Sequence, residues 1–440
     1  MTATDPYDVI GIGIGPFNLG MAALLDPVDH VKAAFFDETA EFNWHPGMLI
    51  EGADLQVPFL ADLVTFADPM SPYTFVNYLH KQNRLHKFFF FNRFDIPRTE
   101  YNHYAQWVAG QLGSCHFGKR VTDVKDYKKE GEQLYEVVVE DREAKVIERY
   151  FTRHVVMGTG SVPLVPDGFD QFPVEDVVHT SQYLCHRDTF DKAENILVVG
   201  SGQSAAEVFL DLLQRQHSFD YRLHWITRSP GFFQLESGKV GQEIFSPDYV
   251  DYFHDLPFEK REEELPNLYH IRNGVEEKTL HEIYDLLYHK SIGEDRAPVT
   301  VRASSDVESI DVNDNGHYTV TCRQWMEEKE YRIMADKIVL ATGYKPNIPG
   351  WLEKFSDVME WEDDKRFKVT RDYRLVFKDD RPNNFFTITN IEHSHGAGAT
   401  NLGLAVYRNM KIINEIAGEE VYPEQSGTVF QSFGTPEESE

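Results

Sequence analysis

The sequence contains one three-part pattern twice: a short apolar run, a glycine-rich turn and the start of a helix. The first copy is DVIGIGIGPFNLGMA, from Asp8 to Ala22, and the second is NILVVGSGQSAAEVF, from Asn195 to Phe209. Each copy predicts a buried parallel strand that leads through a tight turn into a helix. Backbone N–H groups at such a helix start face the phosphates of a bound dinucleotide. The repeat therefore predicts an α/β protein with two Rossmann-like dinucleotide-binding domains.

In the first turn, Gly13 and Gly15 permit the sharp bend and the close approach of the backbone to a pyrophosphate. Pro16 suits the first position of a helix. Asn18 stands where the third glycine of the usual pattern would let helix and strand pack closely, so we expect the helix to tolerate a small polar side chain. Asp37 follows the next apolar run and is the predicted ribose ligand, with Glu38 as the alternative. We assign this turn to a flavin dinucleotide.

The second turn, Gly-x-Gly-x-x-Ala, uses Gly200, Gly202 and Ala205. The strand that follows ends in Arg228 and Ser229, where an NAD-binding protein would carry an acid. A cation and a hydroxyl at this place favour the 2′-phosphate of NADPH, although an exposed arginine without a ligand is the alternative. We therefore predict that the chain binds both a flavin and NADPH.

Composition restricts the partners of this 440-residue chain. Its formal net charge of −29 argues against a nucleic-acid partner and favours cationic small molecules. The sequence has neither a bilayer-spanning apolar run nor a secretory signal pattern, which predicts a cytoplasmic protein without a membrane partner. The cysteines Cys115, Cys185 and Cys322 form no Cys-x-x-Cys pair, so we predict no metal site and no redox dithiol.

The segment FNWHPGMLIEGADLQVPFLADLVTFADPMSPYTFVNYL, from Phe42 to Leu79, resembles the microbial N-hydroxylating flavin monooxygenases of siderophore biosynthesis. These enzymes hydroxylate the terminal amine of lysine, ornithine or small diamines. The Gly-Pro-Phe-Asn turn, GSGQSAAE, IVLATGY and HSHGAGATNLGLAVYRN carry the same resemblance, which extends to about Gly418. It implies an FAD domain built from both ends of the chain, an inserted NADPH domain, a small and mostly helical substrate region, and a homo-oligomer (tetramer or dimer).

The resemblance also implies the chemistry. NADPH reduces FAD, oxygen adds to the flavin C4a carbon to give a hydroperoxide, and the unprotonated amine takes the distal oxygen to become a hydroxylamine. The protein excludes water and protects the oxygenated flavin. The implied boundaries are residues 1–165 (first part of the FAD domain), 166–330 (NADPH domain with substrate-region segments), 331–425 (return to the FAD domain, with a substrate segment) and 426–440 (a flexible acidic tail).

By resemblance, three sets of residues belong to the site. In addition to the residues of the two glycine turns, among them Asn18, the cofactor contacts are Trp44, His45, Met48, Gln56, Gln203, Ser204, Thr342, Gly343 and Tyr344. The catalytic positions are Gln56 and Asn273, and the amine contacts are Asn273, Asn390, Glu392 and His393. Core packing is an equal alternative for Trp44 and Met48, and a surface acid is an alternative for Glu392. Tyr284 and Tyr288 lie one turn apart on a predicted helix face, where a core position is expected.

The choice of amine rests on one departure from the family. Many ornithine hydroxylases have lysine where this chain has Ala61, and the late segment offers no obvious arginine to clamp an α-carboxylate. We therefore favour putrescine or cadaverine, with L-lysine or L-ornithine as alternatives. A flavin disulfide reductase is disfavoured because the chain lacks a dithiol. A carbonyl-oxygenating flavoenzyme and a non-catalytic flavin-binding protein are the remaining alternatives.

Overall fold

The computed structural model describes residues 5–293, 298–313 and 316–435. Its strands form two large sheets, one mixed and one entirely parallel, and three smaller antiparallel sheets within the described ranges. In chain order the strands are β1 (Tyr7–Ile12), β2 (Ala33–Phe36), β3 (Asp54–Pro58), β4 (Asp95–Pro97), β5 (Cys115–His116), β6 (Lys119–Lys129), β7 (Glu132–Asp141), β8 (Ile147–Met157), β9 (Ser161–Pro163), β10 (Val177–His179), β11 (Asn195–Val199), β12 (Arg222–Ile226), β13 (Val299–Arg302), β14 (Ser305–Val312), β15 (Tyr318–Gln324), β16 (Lys329–Ala335), β17 (Lys337–Leu340), β18 (Tyr344–Pro346) and β19 (Phe385–Thr387).

The helices pack against these sheets or form a separate helical region between β12 and β13. They are α1 (Pro16–Leu25), α2 (Phe75–Lys81), α3 (Leu85–Phe91), α4 (Arg98–Ala109), α5 (Tyr183–His186), α6 (Gln203–Arg215), α7 (Pro247–Asp255), α8 (Phe258–Glu264), α9 (Tyr269–Arg272), α10 (Glu277–Ser291), α11 (Glu392–His395) and α12 (Leu402–Ala417). Within the described ranges, none of these helices has the length and apolarity that a membrane span requires.

The first domain is built on a sheet of order β5-β2-β1-β8-β7-β6, with β19 pairing alongside β8. Strands β2, β1, β8 and β19 are parallel neighbours, whereas β7 runs antiparallel to β8. The interior of β1 is completely buried, as its apolar run predicted. Both ends of the chain contribute, because β1 comes from the beginning of the sequence and β19 from residues 385–387.

The second domain has an all-parallel sheet of order β10-β17-β11-β12-β13. Its central strand β11 leads into α6, whose inner face packs into the domain core. Strand β17 lies between β10 and β11, so the chain remains in this domain as far as Leu340. The predicted return to the first domain at residue 331 is therefore too early. The crossover is the short antiparallel pair β9–β18.

Two further parts complete the fold. Strands β14, β15 and β16 form an antiparallel sheet. Helices α7 and α9 and the residues flanking α8 share a small apolar core with Ala397, next to α11. The predicted flexible tail differs from the structure in residues 426–435. There the chain is held by backbone hydrogen bonds to Asp248 and Glu243. The end of the predicted tail, residues 436–440, lies outside the described residues.

Candidate active site

The first candidate cofactor site is the edge of the first-domain sheet at which three parallel strands end. It is called the first edge below. Ile12 of β1 is in register with Met157 of β8, and Met157 is in register with Thr387 of β19. The turns that follow these strands therefore meet at one edge of the sheet, where α/β proteins bind their ligands. Two hydrogen bonds join the turns at this edge. Gly160 N–H donates to Thr389 Oγ1 (3.3 Å), and Asn390 Nδ2 donates to the Gly160 carbonyl (3.0 Å).

The glycine turn at this edge requires Gly13 and is held by the side chain of Asn18. Gly13 has φ +84°, and a Cβ there would lie 2.5 Å from the carbonyl oxygen of Gly158. Asn18 Nδ2 donates to the Gly13 carbonyl (2.7 Å) and the Ile12 carbonyl (3.3 Å). A Cβ on Gly158 would come within 2.6 Å of the same Nδ2, so the close packing usually obtained with a third glycine is obtained through Gly158 instead. Asn18 is only 1% exposed, and we reassign it from direct cofactor contact to holding the turn.

Asp37 is held against the turn by three hydrogen bonds. Its carboxylate accepts Ile14 N–H (2.7 Å), Thr39 N–H (2.8 Å) and the Thr39 hydroxyl (2.6 Å). Glu38 is exposed and faces Arg120 and Arg142 at more than 3.5 Å. These contacts favour Asp37 over Glu38 as the acid positioned for a ribose, which stays a prediction. Beside it, Gly15 has no heavy atom within 4 Å of an added Cβ, so space for a ligand is open at the start of α1, next to Pro16.

The second candidate edge repeats this geometry. Val199 of β11 pairs with Ile226 of β12 and Leu340 of β17, so the turns after these strands lie together. Gly200 has φ +133°, and a Cβ there would lie 2.4 Å from the Ala341 carbonyl oxygen. An added Cβ on Gly202 would meet nothing within 4 Å. The turn thus needs the first glycine for its own packing and leaves open space at the second.

The end of β12 supplies the predicted phosphate ligand. Arg228 is exposed, and its carbonyl is fixed by a hydrogen bond from Trp325 Nε1 (2.7 Å). Its guanidinium has no ion-pair partner within the described parts of the chain. The neighbouring Ser229 hydroxyl lies 3.0 Å from the Ser201 hydroxyl of the glycine turn. The expected hydroxyl therefore lies beside the turn, and the expected cation, the exposed Arg228, precedes it in the chain, which fits a 2′-phosphate.

Gln203 and Ser204 occupy the first turn of α6. The Gln203 side chain accepts Glu276 N–H (2.8 Å) and donates to Glu207 (2.9 Å) and Thr279 (3.2 Å). It is engaged with protein groups at both ends of its amide. Ser204 is partly exposed at the helix start, and its contact with the cofactor stays a prediction.

Two residues that the sequence did not single out join the domains at this point. Arg98, at the start of α4, makes a two-pronged ion pair with Glu207 of α6, with distances of 2.6 and 2.8 Å. Glu207 is almost completely buried. Arg98 also donates to the Met48 carbonyl (2.9 Å). Nothing in the sequence around either residue signals this pair, because the partners lie 109 positions apart.

The segment after Phe42 runs between the domains. Trp44 N–H donates to Asn102 (2.8 Å), and its ring lies 5.3 Å from that of Tyr101. His45 adopts φ 51°, and burial together with the charge of Arg98 lowers its pKa to about 4, so the ring stays neutral near pH 7. Met48 is 3% exposed within the core of the second domain. We therefore reassign Met48 from cofactor contact to packing, the alternative considered for it.

The crossover from β17 to β18 brings three predicted cofactor contacts between the two edges. Thr342 Oγ1 donates to the Leu164 carbonyl (2.5 Å), and the Gly343 carbonyl lies 3.0 Å from His179 Nε2. The Tyr344 ring lies 5.7 Å from the His45 ring and 5.2 Å from the His179 ring. Tyr344 thus contacts the first-domain segment and the beginning of the second domain together.

Gln56 and Asn273 are both exposed, which leaves their amides accessible to a ligand. Gln56 projects from β3, and Asn273 caps α9 with a weak bond from Nδ2 to the Tyr269 carbonyl (3.3 Å). Ala61 is buried next to Gly403 at the start of α12, where an added Cβ on the glycine would lie 3.5 Å from the Ala61 methyl. The neutral, small residue at this position is therefore part of the packing.

The late segment brings together a charge pair that sequence reasoning missed. Glu392, the first residue of α11, accepts from Arg272 Nη2 of α9 at 3.3 Å, and both side chains remain partly exposed. The late segment itself offered no obvious arginine to clamp a carboxylate, and the structure brings one to it from α9. The Asn390 side chain donates to the Gly160 carbonyl, and the Asn390 backbone is left-handed, with φ 62°. His393 is 7% exposed, its ring bonds the Phe367 carbonyl (2.9 Å), and burial lowers its pKa; we reassign it from amine contact to support.

The exposure of two tyrosines and the ion pairs of one acidic cluster add to this description. Tyr284 and Tyr288 share a face of α10 but are 70% and 61% exposed, so the predicted core positions were wrong. The carboxylates of Asp54, Asp95 and Glu276 lie within 4.8 Å of one another. Arg93 and Lys278 bind Asp54 at 2.5 and 2.7 Å, which makes this group an ion-pair network between the domains.

The family model for L-lysine 6-monooxygenase/L-ornithine 5-monooxygenase matches residues 5–346. The putrescine N-hydroxylase of Shewanella oneidensis is 37% identical over 431 residues, which is 97% of this chain and 84% of that protein.

Two solved structures share the whole architecture. The FAD-bound cadaverine monooxygenase of the desferrioxamine pathway of Erwinia amylovora has a TM-score of 0.93 and 36% identity, covering 99% of this chain and 100% of that one. The ornithine N-hydroxylase of Kutzneria sp. 744, solved with reduced FAD, NADP+ and L-ornithine, has a TM-score of 0.87 and 28% identity, covering 94% of this chain and 99% of that one.

Proposed function

This chain belongs to the L-lysine 6-monooxygenase/L-ornithine 5-monooxygenase family, and we propose that it hydroxylates one terminal nitrogen of a small aliphatic diamine, putrescine or cadaverine. It is an N-hydroxylating flavin monooxygenase. In this proposal FAD binds at the first edge and NADPH at the second, and the hydroxylamine is used to build a hydroxamate siderophore. The reaction takes place in the cytoplasm, where NADPH is available.

One observation carries the proposal: two glycine turns, each built against a backbone carbonyl, face open space at the ends of parallel strands in one chain. Gly13 and Asp37 fit the flavin dinucleotide, and Gly200 with Arg228 fits NADPH. When bound, the flavin supplies the activation of oxygen. The protein residues orient both cofactors and exclude water, and the amine must arrive unprotonated, against an ordinary pKa of about 10.

The diamine is supported by the charges around α11. Glu392 offers a partly exposed carboxylate that suits the distal ammonium of a diamine. The chain has the neutral Ala61 where many ornithine hydroxylases of the family have lysine, and the net charge of −29 favours a dication. Arg272 supports L-lysine as the second candidate, because a guanidinium can bind an α-carboxylate in two-pronged fashion. In the diamine account Arg272 instead orients Glu392.

Substitution of Glu392 tests the choice. In Glu392→Gln we expect the KM for cadaverine or putrescine to rise roughly 10- to 100-fold, because a charged hydrogen bond contributes about 1.5–3 kcal/mol. The matched control is a primary monoamine of equal chain length, whose KM should hardly change because it lacks the distal ammonium. Steady-state hydroxylamine formation measures both. If instead L-lysine is the best substrate and Arg272→Gln raises its KM, the amino-acid alternative holds.

We also propose a homo-oligomer, and α3 supports it. No residue of this helix is buried, and Phe89 and Phe90 are 72% and 78% exposed, with Phe94 62% exposed nearby. Exposed apolar patches of this kind mark protein contacts. Light scattering should give a mass above that of one chain, and replacing Phe89 and Phe90 by serine should reduce it. A monomeric wild-type protein would contradict this part of the proposal.

A further inference from the structure

The chain that follows α12 is fastened to the substrate region by two carboxylates. Asp248 of α7 accepts the backbone N–H groups of Gly427 (3.0 Å) and Thr428 (3.1 Å) and the Thr428 hydroxyl (2.5 Å). Glu243 accepts the N–H groups of Phe430 (3.1 Å) and Gln431 (2.9 Å). Glu243 belongs to a short 3-10 helix, Gly241–Ile244, so two elements are gripped at once.

An aromatic side chain completes the attachment. The Phe433 ring lies 5.0 Å from the Tyr249 ring in an edge-on arrangement and 6.1 Å from the Tyr252 ring. Phe433 packs against the small apolar core formed by α7, α9, the residues flanking α8 and Ala397. Phe430, three positions earlier, is fully exposed and makes no side-chain contact of this kind within the described residues. The two phenylalanines therefore provide a contact and its matched control.

Helix α7 and the 3-10 helix also contact the turn after α11. A Cβ on Gly396 would lie 3.2 Å from the Phe253 ring and 3.4 Å from the Tyr249 ring. A Cβ on Gly398 would lie 3.7 Å from the Phe245 ring and 3.8 Å from the Ile244 carbonyl oxygen. This turn therefore packs against α7 and the residues at the end of the 3-10 helix. The turn follows α11, the short helix that begins with Glu392.

The same small core fixes the partner of Glu392. Leu268 and Ile271 are buried in it, and Ile271 immediately precedes Arg272. Displacement of α7 or α9 would therefore move the carboxylate and the guanidinium relative to each other. Their N–O distance of 3.3 Å exceeds the roughly 2.7–2.9 Å of a strong charged hydrogen bond. A small further separation would therefore weaken the pair.

We propose that residues 427–433 support the amine site from outside it, with Phe433, Glu243 and Asp248 acting as positioning residues for the Arg272–Glu392 pair. This inference rests on the proposed function, because it assigns the segment to the binding of the diamine. The segment does not touch the amine. It holds the helices that carry the two charged groups, so its loss affects the amine and not the cofactors.

The test compares Phe433→Ala with Phe430→Ala, and Phe433→Tyr serves as the conservative rescue. In Phe433→Ala we expect the KM for cadaverine to rise roughly 10-fold, since small misplacements of binding groups have effects of this order. FAD content, the KM for NADPH and NADPH oxidation without amine should stay at wild-type values. Phe430→Ala and Phe433→Tyr should behave as wild type. An unchanged amine KM, or an equal rise in the KM for NADPH, would overturn the inference.

Hydrogen exchange separates this inference from the proposed function, because it needs no substrate. In Phe433→Ala, backbone amides of residues 241–255 and 392–400 should exchange faster, while β1 and β11 remain as protected as in wild type. If both ranges keep wild-type protection, the positioning role is wrong even for an active diamine hydroxylase. If they exchange faster while the wild-type protein hydroxylates no diamine, the proposed function fails and the structural coupling stands.

Discussion

The Gly13→Ala variant is expected to fold but to purify without FAD. Gly13 has φ +84°, a region that costs an L-residue about 1–3 kcal/mol. The added Cβ would also lie 2.5 Å from the Gly158 carbonyl oxygen, which belongs to the backbone and cannot rotate away. The turn must shift, and with it the N–H groups that would face the pyrophosphate. Flavin released per mole of protein, with circular dichroism to check the fold, measures the effect.

Two matched glycines make this result specific. Gly118 also has positive φ (+69°) but no heavy atom within 4 Å of an added Cβ, so Gly118→Ala should keep its FAD. Gly200→Ala meets the Ala341 carbonyl at 2.4 Å in the second turn and should keep FAD while losing reduction by NADPH. Retention of full FAD by Gly13→Ala, or loss of FAD from all three variants alike, would contradict the assignment of the two edges.

Arg228→Ala should raise the KM for NADPH roughly 10- to 100-fold, because a charged hydrogen bond to phosphate contributes about 1.5–3 kcal/mol. NADH lacks the 2′-phosphate, so its KM should change little and the preference for NADPH should collapse. Arg228 is exposed and its guanidinium has no ion pair in the described ranges, so its removal should leave the fold intact.

The control for this variant is Arg222→Ala. Arg222 is also exposed but stands at the opposite end of β12, away from the glycine turn. It should leave the kinetics with both nicotinamide cofactors unchanged. Equal losses for NADPH and NADH in Arg228→Ala would show that the residue supports the turn and does not read the phosphate.

The sequence predicted the parts of the site that depend on local backbone chemistry. Buried parallel strands are continuous apolar runs, and a turn against a carbonyl requires glycine, so both edges could be recognised from short stretches. The position of Asn18 was recognised as unusual. Its compensation by Gly158 could not be predicted, because the two residues meet only when β1 and β8 pair.

The errors share a physical cause. An apolar strand followed by a turn looks the same whichever sheet it joins, so β17 was taken for part of the first domain. Arg272 and Glu392 are 120 positions apart, and no local pattern connects them. Likewise, the acidic, turn-rich sequence of residues 426–440 suggested a free tail, although backbone N–H groups between residues 427 and 431 donate to the distant carboxylates of Asp248 and Glu243.

The most direct test is to identify the oxygenated product. The purified protein, supplied with FAD, NADPH and isotopically labelled dioxygen, is incubated separately with putrescine, cadaverine, L-lysine and L-ornithine. Mass spectrometry should find one labelled oxygen atom on a terminal nitrogen of a diamine, in proportion to the NADPH oxidised. NADPH consumption that yields only hydrogen peroxide with every amine, or a labelled product without an N–O bond, would contradict the account.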